Sequence, residues 1–397
     1  MYQPPNELGV NYFMSNFIVD DPAMALLHYL PDFYTRTGHS DPALRKICAA
    51  VGLVGLVNKA HNKDMFRVAA NNYGAAIRAI NTALLCPKKA VNDCIVASVY
   101  LAAMFEALII PRPAGMDNAS THLAGAVSVA HLVLKQQKQT EITYQLCNTI
   151  IKTVIMNSWI QEVPLPPNFF EFKRLVEKKA ERVSVHDSFL DIIMNLIQLK
   201  QEYQNAANRD PMAMIQRALA IDANLDEYAR DLAQKAPFET YQLSNADDSR
   251  LAHKGYYHLY PKHLHAHLWN NVRTTHIRLH QAIMRQCDNL ASFPELIAQR
   301  ASSKALIISK IMELLASVPQ LAGYVKDIHI TPSSKNTTLS GQQGSPPGQE
   351  TYQRSIHTSI PQYRTHSLYH ILYQLYLHGS EPGLPQFTKY WIQQRNG

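Results

Sequence analysis

The sequence predicts an all-α fold, a layered antiparallel set of helices with one long disordered loop, and three observations carry that prediction. Apolar residues recur at three- and four-residue steps almost from end to end, the spacing that lines one face of a helix. No stretch alternates apolar and polar residues over the length of a strand. One segment, "TPSSKNTTLSGQQGSPPGQETYQRSIHTS" at 331–359, gives up apolar residues for turn formers and polar side chains, and such a composition builds no core.

The elements follow in order. "DPALRKICAAVGLVGLVNKA" (41–60) opens with Asp41 as cap and Pro42 as first helical residue, then spaces Leu44, Ile47, Cys48, Val51, Val54 and Leu56 into a wide apolar face. It predicts a buried helix. "KDMFRVAANNYGAAIRAINTALL" (63–85) sets Phe66, Ala69 or Ala70, Tyr73, Ile77, Ile80 and Leu84 at helical steps and stops at Cys86-Pro87. The next helix takes Asn92 or Asp93 as its cap and is apolar almost all round. "MDNASTHLAGAVSVAHLVLKQQ" (116–137) is expected to start near Asp117 to Ser120, with Gly125 admitting the close approach of a neighbouring backbone. Helices continue over 140–160, across the proline-rich break "EVPLPPNFFEF", and over 185–205, 210–235, 258–288 and 294–318. Short connections favour antiparallel neighbours. An amphipathic piece at 365–394 returns the chain to the fold, so the expectation is a single domain over 1–397 with 331–359 as an internal loop that proteases cut first.

With 397 residues the chain is long enough to bury a large core. Apolar residues are 46 % and charged residues 17 %, so the surface relies on neutral polar groups and tends toward association. The net charge of +7 is scattered rather than gathered in one block, which argues against direct binding of nucleic acid. The densest basic stretch, "EFKRLVEKKAERV" at 171–183, holds Glu171, Glu177 and Glu181 at helical steps from its bases, the pattern of a solvated face with internal ion pairs. Cys48, Cys86, Cys94, Cys147 and Cys287 stand far apart, form no C-x-x-C pair and predict reduced, buried thiols. The amino terminus has no signal-peptide pattern, and the most apolar window, 91–110, is broken by Asn92, Asp93 and Glu106, so neither secretion nor a membrane span is predicted.

The segment "HKGYYHLYPKHLHAHLWNNVRTTHIRLHQAIMRQ" (253–286) holds seven of the eighteen histidines. On a helix turning about 100° per residue, His276 and His280 share a face at the edge of the apolar stripe. A zincin pair needs Glu directly after its first histidine, and here that residue is Ile277. His263, His265 and His267 alternate, which aligns ligands on a strand but scatters them around a helix. Hydrogen-bonded core histidines are the better account, and no metal is expected. The acidic pairs Asp20-Asp21 and Asp247-Asp248 lack the last carboxylate of a magnesium-binding D-D-x-x-D helix, with Met24 and Leu251 in its place. No phosphate loop, dinucleotide fingerprint or nucleophile elbow occurs, so no catalytic or cofactor-binding residue is assigned.

Five sequence words then point to a family. "DPALRKICAAVGLVGLVNKA", "AANNYGAAIRAINTALLCP", "VASVYLAAMFEAL", "THLAGAVSVAHL" and "LWNNVRTTHIRLHQAI" resemble, in order and spacing, segments of the fungal-specific transcription factor domain, the all-α regulatory region that usually follows a zinc binuclear cluster. The resemblance reaches from about residue 10 to 394 and is weak between 160 and 250. It makes the histidine-rich segment a packed helix, with Trp269 as a core anchor and Arg273 bonded to helix ends or a carboxylate. The sequence departs from the family in one respect, because no cysteine precedes Cys48 and six are needed to hold two zinc ions. Zinc-dependent DNA binding is therefore not carried over; a cluster upstream of residue 1, or a regulator without a reader, is expected. The ending "YWIQQRNG" stops where relatives run further, which predicts that the last helix of the fold is missing.

The resemblance implies a nuclear transcription regulator, not an enzyme, that acts through other transcription regulators or a homodimer partner, with DNA reached indirectly or through a missing N-terminal module and no membrane partner. A small apolar effector between the helices is the kind of ligand such a module would take. The alternative is an enzyme or small-molecule carrier of specialised metabolism reusing the same helices. No cofactor is implied.

Overall fold

In the computed structural model, residues 3–18, 26–60, 63–86, 92–109, 113–135, 139–179, 188–205, 210–242, 252–289, 294–322, 378–379, 381 and 383–396 are described. The 331–359 loop lies outside them. The chain divides into two compact units, the first Met1–Tyr228 with Arg285–Leu296, the second Ala229–Met284 with Ile297–Gly397.

Caps set where the helices of the first unit begin. Asp41 Oδ1 accepts the N–H groups of Ala43 and Leu44, each at 2.9 Å, satisfying two of the donors that a helix start leaves open. In chain order the helices are α1 (Pro5–Asn16), α2 (Leu30–Arg36), α3 (Pro42–Ala60), α4 (Lys63–Leu84) and α5 (Asp93–Ile109). There follow α6 (Pro113–Leu134), α7 (Glu141–Gln161), α8 (Phe169–Lys179), α9 (Ser188–Asn205) and α10 (Pro211–Lys235). Asn92 is the cap of α5, its Oδ1 accepting the Ile95 N–H at 2.9 Å. Helix α6 starts at Pro113, before the expected Asp117 to Ser120: a proline costs nothing in a first turn, where its missing N–H would have no partner anyway.

Helix α3 is the centre of this unit. It packs against α1, α4 and α5, and Leu44, Ile47, Cys48, Val51, Leu53 and Val54 are fully buried, each large apolar side chain stabilising by about 1.5–3 kcal/mol. Its crossing with α1 is backbone on backbone: a methyl on Gly52 would sit 1.8 Å from the Gly9 carbonyl oxygen. The close approach expected at Gly125 is not required there, since a methyl would meet Val99 Cγ1 at an ordinary 3.6 Å. Helix α5 is buried all round, as its sequence predicts. It pairs with α6; α6 pairs with α7, and α7 with α8 and α9. On α4, Phe66 and Leu84 are exposed rather than in the core, because the buried arc centres on Ala69, Ala76 and Ile80.

Among the described residues, the second unit holds the one departure from helices. Strands β1 (Glu239–Gln242) and β2 (Tyr256–Leu259) pair antiparallel, Glu239 opposite Leu259 and Gln242 opposite Tyr256. Four residues of "ETYQ" and four of "YYHL" are too short for alternation to show in a sequence window. The ribbon also corrects the helix expected from 258: α11 (His263–Asn289) starts only after Pro261, which holds Tyr260 out of the helical region. Helices α12 (Pro294–Leu321) and α13 (Gln386–Asn396) complete the unit. Their core joins Tyr260, Ala266 and Ile277 to Ile307, Ile311, Leu314, Leu315 and Val318 from α12, and to Leu384 and Ile392. Among the described residues no helix is long and apolar enough to cross a membrane.

Candidate functional site

Two polar centres are built inside the units. In the second, α11 supplies Trp269, Asn270 and Arg273, the β2 end supplies His258 and Tyr260, and α12 supplies Glu313, Ser317 and Gln320. Arg273 is 1 % exposed, and a guanidinium survives that burial only if its donors are bonded. Nε–H donates to Glu313 Oε2 at 3.1 Å, and Nη1 donates to Tyr260 Oη at 2.6 Å and to Asn270 Oδ1 at 2.8 Å. Nη2 lies 3.3 Å from His258 Nδ1, which must accept, so the imidazole proton belongs on Nε2. The rings of Phe238, Tyr260 and Trp269 stand 5.3, 5.8 and 5.6 Å from the guanidinium carbon, within cation–π range.

The electrostatics keep this centre in one protonation state. Burial alone would raise the Glu313 carboxyl, but Arg273 and Lys310, whose Nζ is 3.1 Å from Oε1, together hold it below its ordinary value. Burial and then Arg273 push His258 down to about 4, so it is neutral. Asn270 donates onward to Ser317 Oγ at 2.9 Å, and Gln320 brackets the Tyr260 backbone, accepting its N–H and donating to its carbonyl, both at 2.8 Å. Trp269 Nε1–H donates to the Ala236 carbonyl at 2.8 Å. These side chains spend their donors on one another and on nearby backbone, an arrangement that fixes three elements in register.

The first unit has a smaller counterpart. Tyr73 on α4 donates to Glu106 Oε1 on α5 at 2.5 Å, and its Oη lies 3.0 Å from His122 Nε2 on α6. A phenol has one proton, so His122 donates here. Asn118 Nδ2 holds the other Glu106 oxygen at 3.2 Å, and the Tyr73 ring stacks on Phe105 with centroids 4.2 Å apart. Burial and the neighbouring Glu106 raise the Tyr73 phenol, while burial lowers His122. A tyrosine held this firmly in its protonated form is a clasp across three helices rather than a base.

An open groove of about 1010 Å³ in the first unit carries Asp32, Asp41, Asp93 and Glu141. Its acids have work elsewhere. Asp41 caps α3, and Asp93 accepts from Thr140 and Thr143 Oγ1, each at 2.8 Å, at the start of α7, whose cap is Thr140. Three helix N-termini with their partial positive charge meet here, and carboxylates compensate them.

Of the seven histidines in the segment, His263, His265, His267, His276 and His280 lie on α11, while His253 and His258 precede it. His276 and His280 are both buried, not at the edge of the stripe, and His280 Nδ1 is 2.9 Å from Ser303 Oγ. The five cysteines are free thiols, and burial raises Cys48, Cys94 and Cys147. The acidic pairs at 20–21 and 247–248 lie outside the described residues.

The model of one protein family, the fungal specific transcription factor domain, matches residues 11–334. The chain belongs to that family. No curated protein and no solved structure matches it. In this fungal transcription factor domain both polar centres fall inside the matched range, and they explain the words that carried the resemblance: Tyr73, Glu106 and His122 come one from each of three words, and Trp269, Asn270 and Arg273 from a fourth. Those words therefore mark internal ties. Sequence reasoning found Trp269 and Arg273 but not their partners. Tyr73, Glu106 and His122 could have been found by asking where the polar residues of the words meet; Glu313, in the apolar run "KIMELLASV", gave no signal.

Proposed function

We propose that the chain acts in the nucleus as the regulatory region of a transcription regulator, through contacts with other transcription regulators or with a second copy of itself. The family match over residues 11–334 carries this reading. Two features of the fold support the part played by protein contacts. The polar centres are closed on themselves, and apolar side chains point outward on and after α4, where Phe66 is 41 % and Leu85 87 % exposed. Paired cysteines are absent from the sequence, so in this reading DNA is reached through a partner or a module outside it.

The test is a fusion of the whole chain to an unrelated DNA-binding module upstream of a reporter, with a fluorescent tag to locate it. A several-fold change in reporter output from a nuclear protein is the expected result. Output equal to the module alone, from a fusion seen in the nucleus, would overturn the reading. Phe66→Glu with Leu85→Glu should abolish the change while the helical content stays intact.

A further inference from the structure

Helix α4 brings an apolar seam to the surface of the first unit. Phe66, Ala70, Tyr73, Ile77, Ile80 and Leu84 follow one another at steps of four and three, the repeat of a coiled-coil seam, and fall within about 80° of one another on the helical wheel. The arc that packs into the core, Ala69, Ala76 and Ile80, lies to one side. Of the six seam residues only Ile80 belongs to it: Phe66 is 41 % and Leu84 39 % exposed, and Ala70, Tyr73 and Ile77 are half-buried. The seam runs for about 27 Å, or about five turns. Stripes of this kind are what one helix lays against another.

The charge beside the seam indicates what covers it. On its solvent side stand Arg67, directly after Phe66, and Arg78, whose Nη1 reaches back to 3.5 Å from where a methyl on Gly74 would stand. Arg67 and Gly74 hold the same edge position in successive heptads, the position from which side chains pair with a partner helix. Both arginines are exposed, and neither is in an ion pair among the described residues. Glu106, which the seam's own Tyr73 contacts, is held by Tyr73 and Asn118. The one acid of α4, Asp64, stands about 160° round the helix from Phe66. A second copy of α4 would therefore bring two more guanidinia and no carboxylate to the edge, whereas an acidic helix would pair both arginines.

We propose that α4 docks an acidic amphipathic helix of a partner protein, its apolar stripe on the seam and two of its carboxylates, one heptad apart, on Arg67 and Arg78. This partner chemistry rests on the reading of the domain as one that works through protein contacts. The seam supplies the burial, and the arginines select the partner and its register.

The experiment offers the full chain a fluorescent synthetic peptide of about four heptads, with leucine at a and d and glutamate at every e and g, a pattern whose like charges keep it from pairing with itself. A second peptide carries lysine for each glutamate. Followed by anisotropy at low salt, the acidic peptide should bind roughly tenfold more tightly than the basic one, and the difference should shrink as salt rises. Arg67→Glu with Arg78→Glu, both changes at the surface, should reverse the preference, and Leu84→Glu should weaken the acidic peptide by roughly tenfold. No binding, equal binding of the two peptides, or a preference that the double reversal leaves unchanged overturns the proposal. So does a dimer of the chain that Leu84→Glu dissolves, which would make a second copy the occupant. The reporter fusion separates the two readings: output that persists without peptide binding refutes the docking helix alone, and peptide binding by a chain that gives no output refutes the regulatory role alone.

Discussion

Arg273 shows how much a single buried charge commits its neighbours. Taking Glu313 away strands a guanidinium that is almost wholly out of water, so Glu313→Ala should destabilise the chain by about 3–5 kcal/mol in urea unfolding. Replacing both partners together, Arg273→Met with Glu313→Leu, should cost markedly less than the two single changes added, and strict additivity would show that the pair is not coupled. Tyr73→Phe is a gentler probe, because the ring still stacks on Phe105 while Glu106 and His122 lose their shared partner; about 1–2 kcal/mol is expected. At this scale the sequence was partly legible. Trp269 and Arg273 stood out through a sequence word, but a carboxylate 40 positions away leaves no periodic trace, since only folding decides which side chains meet.

At the scale of elements, glycine is the informative residue. Gly52→Ala drives a methyl into the Gly9 carbonyl and must part α1 from α3, an overpacking cost of about 1–3 kcal/mol or more. Gly125→Ala meets open contact distance and should instead gain about 0.5–1 kcal/mol from helix propensity. Thermal unfolding of the two variants side by side checks both signs. The wheel of α11 failed in the same instructive way. It expects one apolar stripe, whereas residues from Val272 to His280 are buried on every side, because hydrogen bonds such as those of Arg273 and His280 let polar residues replace apolar ones inside. Periodicity reports which face is greasy, not which is covered.

For the whole molecule the buried histidines set the response to acid. His253 and His258 are lowered to about 4 and His378 to about 3, with burial the first cause in each, and His122 is lowered too. The folded chain keeps them neutral while the unfolded chain takes up protons from about pH 6.5. Their contribution to stability is therefore complete above that pH and is lost as pH falls toward 4; Glu313, also lowered, adds to the loss at the acid end. The unfolding midpoint should drop steeply between pH 7 and 5, and a flat profile would mean these imidazoles are hydrated in solution. The sequence by itself determined the helical class, the order of the helices, the cap at Asp41, and the family, because each is written in neighbouring residues; between Asn92 and Asp93 as the cap of α5 the structure chose. Only the tertiary structure decided the β ribbon, the tight crossing at Gly52, the outward turn of Phe66 and the partners of Arg273 and Tyr73. These depend on contacts between residues far apart in the chain, and local periodicity carries no information about them.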